Sequence, residues 1–420
     1  LLDPQKPVTL TLWHVFGAQT DGPMNGLVAR FNRTVGREKG IVVNVTAVSN
    51  STDIHFALVA AAKKYPGAGS LPDMFITYPK TVFAIGPERL MNWKDWLPEE
   101  KRLEFISSFV EEGTVDGRLV LLPVAKSLNV LFINATIFDQ FAMESGVSYD
   151  DLATWEGMFA AATRYYKWSG GKAFFKYDDW LHYSMLNTVS LGGNFFQGEK
   201  INFRDERFRK VWHRLAESAL SGGVCLLGGY STTAMMTGET LCGVGSTASV
   251  LYFKDTVTYP DNTTIPLRLK ILPVPTFQEG RLLAVQRGGG LGVIKSTPQK
   301  EYAASIFGRW LTDTENNVPF VTATGYSPVK EDAHMALVKE DWPSFTSDSY
   351  KDLYKTISNM HMQHSFYVPP LFEGYGEMER DFSELQREIF SKYRKSLRND
   401  AQISPELLHS IFQEFEQSLD

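Results

Sequence analysis

Three groups of residues in this chain have types and spacings that could do chemistry. Asp178 and Asp179 stand together before Trp180, and paired carboxylates at a defined separation carry out glycoside hydrolysis. Sequence neighbours point in different directions, so the role read for them is capping of the helix that follows. His361 and His364 lie three apart and can share a helix face, but no third metal ligand stands near them in sequence. The run RGGGLGV, Arg287 to Val293, lacks the G-x-G-x-x-G spacing of a dinucleotide loop. Its glycines suit close backbone approach by another segment or by a ligand. There is no G-x-S-x-G elbow, Walker loop or His-Glu-x-x-His. The reading is therefore no catalytic set, no metal site and no cofactor.

One further cluster asks for a ligand rather than a reaction. Val8, Leu10 and Leu12 alternate with Thr9 and Thr11 as in a strand, which then ends on Trp13, His14 and Phe16 before Gly17. Met24, Leu27, Val28 and Phe31 follow at helical spacing behind Pro23. GIVVNVTAV reads as a second strand, Asp53 to Lys64 as a helix and DMFITYP as a third strand. This β-α-β-α-β order predicts a parallel sheet flanked by helices, with ligands at the carboxyl ends of the strands. His14, Phe16, Tyr78 and Lys80 would stand at that end.

Farther on, GRLVLLPVAKSLNVLFIN reads as two short apolar runs joined through Pro123 to Ser127, a candidate crossing between lobes. Asp151 to Trp168 is an amphipathic helix, GKAFFKY a strand, DDWLHYSMLNTV a helix and Arg207 to Leu220 another. TLCGVGSTASV reads as a strand leading into a helix. ILPVPTF and GGGLGVIK are strands, and two helices close the chain, the second opened by Ser404 and Pro405.

The totals limit the function class. The chain has 420 residues, which suggests two or three domains. Its formal charge is −6 with both signs interspersed, which speaks against nucleic acid as a partner. No apolar run reaches the ~18–20 residues of a membrane span. The first residue is Leu1, consistent with processing or trimming that would hide an export signal. Cys225 and Cys242 are the only cysteines, too few for a disulfide scaffold, and read as buried thiols or as one bridge.

The order of motifs resembles the bacterial family 1 extracellular solute-binding proteins, receptors of ABC importers, and in particular their glycerol-3-phosphate and oligosaccharide-binding members. The likeness runs through TLTLWHVFG, SLPDMFITYP, DGRLVLLPVAKSLNVLFINATIFDQFAM, TWEGMFAAATR, DDWLHYSMLN, FRKVWHRLAE, TGETLCGVGSTASV, LPVPTF, GGGLGVIKSTPQKEYAASIFGRWLTD and TATGYSPV. Each is loose alone; the collinear series carries the resemblance. It implies an α/β, two-lobed periplasmic-binding-protein fold of type II-like topology, with parallel-rich sheets flanked by helices and a ligand cleft between lobes. The expected lobes are residues 1–123 plus 287–345 and residues 124–286 plus 346–420.

Carried over by position, the resemblance implies ligand contacts from His14 and Phe16, Asn50, Tyr78 and Lys80. Lys126 and Ser127 join them, with Trp180 stacking, Ser246 and Ser249 on a small-residue turn, and Gly289 and Gly290 offering backbone. In YVPPLFEGYGEMER, Tyr375 stands where the phosphate-binding members have a basic residue. That departure weakens glycerol 3-phosphate as ligand unless Lys80, Lys126 or Arg287 replaces the charge; equally, these cations can be solvated rim residues. Core packing is the structural alternative for Trp180, and a satisfied strand-end imidazole the alternative for His14.

The function the resemblance implies is capture of a sugar, oligosaccharide or glycerol-phosphate-like ester for delivery to an ABC importer permease. The protein would be an exported monomer, periplasmic or lipid-anchored. Two competitors stand beside it: a glycosidase-like enzyme on a two-lobed scaffold, and a ligand-free surface or interaction protein with a filled cleft.

Overall fold

The computed structural model describes residues 2–16, 22–338, 347–397 and 403–419. Its principal strands, in chain order, are β1 (Val8–His14), β2 (Ile41–Ala47), β3 (Met74–Thr77), β4 (Leu122–Ser127) and β5 (Asn129–Asn134). Then follow β6 (Ala173–Tyr177), β7 (Thr240–Ser246), β8 (Leu269–Pro273) and β9 (Arg287–Val293). They form a five-stranded sheet, β2-β1-β3-β9-β4, and a four-stranded sheet, β8-β5-β7-β6.

The chain divides into two compact units, 1–127 with 287–342 and 371–376, and 128–286 with 343–370 and 377–420. The first crossing falls after Ser127, because β4 keeps pairing with β9 to the end, Ser127 opposite Arg287. Pro123 interrupts that strand without ending it. It sits opposite Gly290, where the ladder shifts register, the place a residue without an N–H is tolerated. Gly17 and the expected limit at 345 lie outside the described residues.

In the first unit β1 runs parallel to β2 and β3, and β9 is antiparallel to β3 and β4. Leu10 and Leu12 of β1 are fully buried while Thr9 and Thr11 are exposed, the alternation of a strand with one face on the core. The helix Ser51–Lys63 lays Ile54, Leu58, Val59 and Ala62 against Phe75 of β3, Val82 and Leu90. Gly288 is held at φ +110°, and a Cβ there would lie 2.2 Å from the carbonyl oxygen of Ala125, so β9 needs glycine to lie against β4.

In the second unit β6 and β7 run parallel, and β5 is antiparallel to both β7 and β8. Its core is aromatic. Trp155 packs against Phe159, Phe175, Tyr177 and Tyr183, and Trp212 against Phe390, Phe412 and Phe415. The latter group docks the helices Tyr375–Ser396 and Pro405–Leu419 on the helix Glu206–Leu220. Much of the aromatic surplus is thus structural. Cys225 and Cys242 are both buried and free.

Candidate functional site

In the first unit, strand direction gathers the expected residues on one rim. β1, β2 and β3 end there with His14, with Ala47 ahead of Asn50, and with Thr77 ahead of Tyr78 and Lys80. Antiparallel β9 enters there with Arg287 to Gly290, and β4 leaves there with Lys126 and Ser127.

The side chains on this rim are largely engaged within the unit. His14 is fully buried; its Nε2 lies 3.1 Å from Asn25 Oδ1, and the Phe16 amide donates to its Nδ1 at 3.1 Å. An amide oxygen on one nitrogen and an N–H on the other define the neutral Nε2–H tautomer. Burial pushes the His14 pKa below its ordinary value, opposed by the Asn25 hydrogen bond. Phe16 is buried edge-on against Phe320 and Tyr326, with centroids 5.0 and 5.1 Å away. Asn50 caps the helix Ser51–Lys63, accepting from the amides of Thr52 and Asp53. Tyr78 and Lys80 are half-buried around Pro79, which opens a helix.

Lys126 Nζ pairs with Glu112 Oε2 at 2.7 Å, each side chain only 5% exposed, and lies 5.5 Å from the Phe109 ring centroid. Ser127 is fully buried and its Oγ has no hydrogen-bond partner among the described residues. A Cβ on Gly289 would meet Ile76 at 2.6 Å and one on Gly290 would meet Leu121 at 2.7 Å, so both glycines serve packing of β9. Tyr375 is buried against Phe372 at 5.5 Å. The next residue, Gly376, lies against His55, whose Nδ1 is 3.0 Å from Thr81 Oγ1 in a chain that continues to Thr77.

The second unit presents its own rim at the carboxyl ends of β6 and β7. A parallel bridge between Phe175 and Val224 brings the loop after Cys225 to the same end, and antiparallel β5 begins there with Asn129. Trp180 opens the helix Trp180–Ser190, is 5% exposed, and packs on Tyr177 and Tyr183. Ser246 caps a 3-10 turn through the Ala248 amide, and Ser249 is half-buried on that turn.

Sequence reasoning did not place Asp178, Tyr230 and Ser231 on this rim. Asp178 Oδ1 accepts the Ser231 amide at 2.5 Å, and a Cβ on Gly245 would stand 2.4 Å from Asp178 Oδ2. Tyr230 and Tyr252 are 47% and 52% exposed, large rings left on the surface. The signal for Tyr230 was the turn pair Gly228-Gly229 just before an aromatic. The Asp178–Ser231 bond spans 53 residues and carries no local pattern. Beneath the loop, Lys176 Nζ donates to the Leu227 carbonyl at 2.5 Å, and burial pulls its pKa down.

Asp179 has the capping role, accepting the His182 amide at 3.0 Å. His182 Nδ1 also lies 2.8 Å from Asp179 Oδ2, and its Nε2 is 3.7 Å from Glu379 Oε1. Among the described residues, this is the group whose ligand atoms stand close enough, within 4.8 Å, to hold a cation. Its visible work is to fasten the first turn of the Trp180 helix to the helix Tyr375–Ser396.

The sequence pattern of the family described as bacterial extracellular solute-binding protein matches residues 26–346. The chain belongs to that family. No curated protein matches it significantly. Among solved structures, this solute-binding protein is similar to an ABC substrate-binding protein of Listeria monocytogenes in complex with cycloalternan, with TM-score 0.74 and 14% identity over 99% of each chain. It is similar to UgpB from Mycobacterium tuberculosis in complex with glycerophosphocholine, with TM-score 0.73 and 15% identity over 98% of this chain and 97% of that one. The galacto-N-biose/lacto-N-biose I-binding protein of a Bifidobacterium longum ABC transporter, in complex with lacto-N-biose, gives TM-score 0.69 and 14% identity over 99% and 97%. These likenesses establish the two-lobed α/β fold. Among the described residues, no helix is long and apolar enough to cross a membrane.

Proposed function

We propose that the protein is an exported receptor that captures a carbohydrate or a phosphorylated polyol and hands it to the permease of an ABC importer, without turnover. The observation that carries the reading is the gathering of the resemblance-derived residues at the carboxyl rim of each sheet, where α/β sheets bind ligands. The aromatic and hydroxyl side chains near these strand ends are of the types that suit a polyhydroxylated molecule. The ligands named for the similar structures, two of them saccharides and one glycerophosphocholine, support the same class. The family supports export, and the likeness to a binding protein of an ABC transporter supports the permease partner.

A thermal-shift screen of the full chain against sugars, oligosaccharides, polyols and their phosphate esters tests this. A ligand at a hundred times its dissociation constant adds about 2.7 kcal/mol to the native state. The expected result is a rise of a few degrees with one class and unchanged ligand recovered by chromatography. No shift across the panel, or recovery of a cleaved product, would count against the proposal.

A further inference from the structure

The second unit encloses a group of side chains whose own contacts leave one of them unsatisfied. Asp179 and His182 stand one turn apart at the start of the helix Trp180–Ser190 and so face the same way. Asp179 Oδ1 is committed to the His182 amide at 3.0 Å, which leaves Oδ2 turned toward the imidazole. Glu379 arrives from the helix Tyr375–Ser396, with Oε1 3.7 Å from His182 Nε2. Two carboxylates and an imidazole therefore meet where Asp179 is 8% and His182 6% exposed.

The contact at the centre of this group decides what it asks for. His182 Nδ1 lies 2.8 Å from Asp179 Oδ2, yet it makes no hydrogen bond. A nitrogen lone pair and a carboxylate oxygen repel each other at that distance, and a proton off the line between them gains little. A buried polar atom so placed calls for a partner. A metal ion supplies one, because it accepts electron pairs from both atoms and offsets the charge of carboxylates taken out of water. Neighbouring ligands of a tetrahedral zinc, each about 2.0–2.1 Å from the ion, stand roughly 3.3 Å apart. One ligand atom from each of the three residues lies within 4.8 Å of the others. Glu379, the most exposed of the three side chains at 16%, has the freedom to rotate and close that set. The amide held by Asp179 Oδ1 is the kind of outer contact that orients a metal-binding carboxylate.

We propose that Asp179, His182 and Glu379 bind a divalent cation of the zinc class, with water completing its coordination. The ion ties the helix Trp180–Ser190 to the helix Tyr375–Ser396. An imidazole in the donor set selects zinc over calcium and magnesium, which take oxygen ligands. All three residues belong to the second unit, and binding of the ion does not depend on what the receptor carries.

The test is titration of the full, chelator-treated chain with zinc chloride, read by calorimetry and by thermal melting. The expected result is an equimolar end point with a dissociation constant of about 1 μM or tighter, and a melting temperature raised by a few degrees. Calcium and magnesium should bind at least tenfold more weakly. Glu379→Gln and His182→Gln, each removing one ligand, are expected to weaken zinc at least tenfold. Absence of saturable uptake, or uptake undiminished in either folded variant, overturns the proposal and leaves the three residues as an ion triad between helices. Calcium or magnesium binding as tightly as zinc overturns the assignment to the zinc class. Should the variants fold poorly, anomalous scattering at the zinc edge from parent crystals soaked in zinc chloride decides. A peak within bonding distance of His182 upholds the site, and its absence there removes it.

Discussion

The two rims are built from opposite materials. On the first, His14, Phe16, Lys126, Ser127 and Tyr375 are all buried, and most of their polar atoms are answered by residues of the same unit. On the second, a carboxylate follows the strand and two tyrosine rings stand about half exposed. Position at a strand end is therefore not the same thing as availability to a ligand. The first rim is a rigid frame in which aromatic and charged groups hold strand ends in place. The second leaves tyrosine rings partly on display.

The largest expected effect comes from breaking the frame. Phe16→Ala removes a buried ring seated against Phe320 and Tyr326, and such truncations cost about 3–5 kcal/mol. Lys126→Ala removes the ammonium that a buried Glu112 carboxylate holds at 2.7 Å, a loss of similar size, about 3–5 kcal/mol. Each variant should melt well below the parent whether or not ligand is present. If either melts like the parent while ligand affinity falls, the first rim is contact surface and the contrast collapses.

Acid should weaken the molecule through its buried histidines. Burial lowers the pKa of His14, His213 and His364, and pushes His334 down to about 4. A depressed imidazole pKa means that the unfolded chain binds protons first. The stabilisation is complete above the ordinary histidine pKa of 6.5 and is lost as pH falls through the folded value. His334 alone contributes up to roughly 3 kcal/mol, lost between about pH 6.5 and 4. Denaturant melts from pH 7.5 to 4.5 should show falling stability with a shallower fall in His334→Gln. An identical slope in the variant would exclude His334 as the source.

The sequence was informative wherever the determinant was local. The period-2 run before His14 and the i, i+3, i+4, i+7 run from Met24 are the observed β1 and the helix Pro23–Phe31. Asp179 and Ser404 cap helices through amides three residues on. Chemistry set by distant chain segments left no such mark. The Glu112 that engages Lys126 arrives on a short helix, Ser107–Glu112, packed near β4, so Lys126 read alone looked like a free cation. Asp178 looked like half of a capping pair, whereas its partner amide belongs to Ser231. Gly289 and Gly290 suggested ligand approach, yet the atoms crowding them are Ile76 and Leu121.

A capping residue gives a smaller effect that separates frame from contact on the first rim. Asn50 accepts two amides at the start of the helix Ser51–Lys63, so Asn50→Ala should cost about 1 kcal/mol. Asn50→Ser should keep most of that stability, because a hydroxyl oxygen caps the same amides without setting a second carboxylate against Asp53, to which the Asn50 amide donates at 2.8 Å. Ligand titration of both variants tells whether the side chain does more than cap: affinity lost in each, at preserved stability, would make Asn50 a contact.

The smallest expected change in stability belongs to Tyr230, and it gives the sharpest test of the contrast. The ring is 47% exposed, so Tyr230→Ala should alter stability by less than about 0.5 kcal/mol, as exposed substitutions do. If that ring lies against the ligand, its loss should weaken binding about tenfold, equivalent to ~1.4 kcal/mol. Tyr230→Phe should recover most of the affinity, because stacking uses the face and not the hydroxyl. Phe16→Ala would then lower the melting point far more than binding, and Tyr230→Ala the reverse. A Tyr230→Ala protein with parental affinity would mean that the exposed ring faces something other than the ligand, and the display surface would shrink to Asp178 and the serine turn.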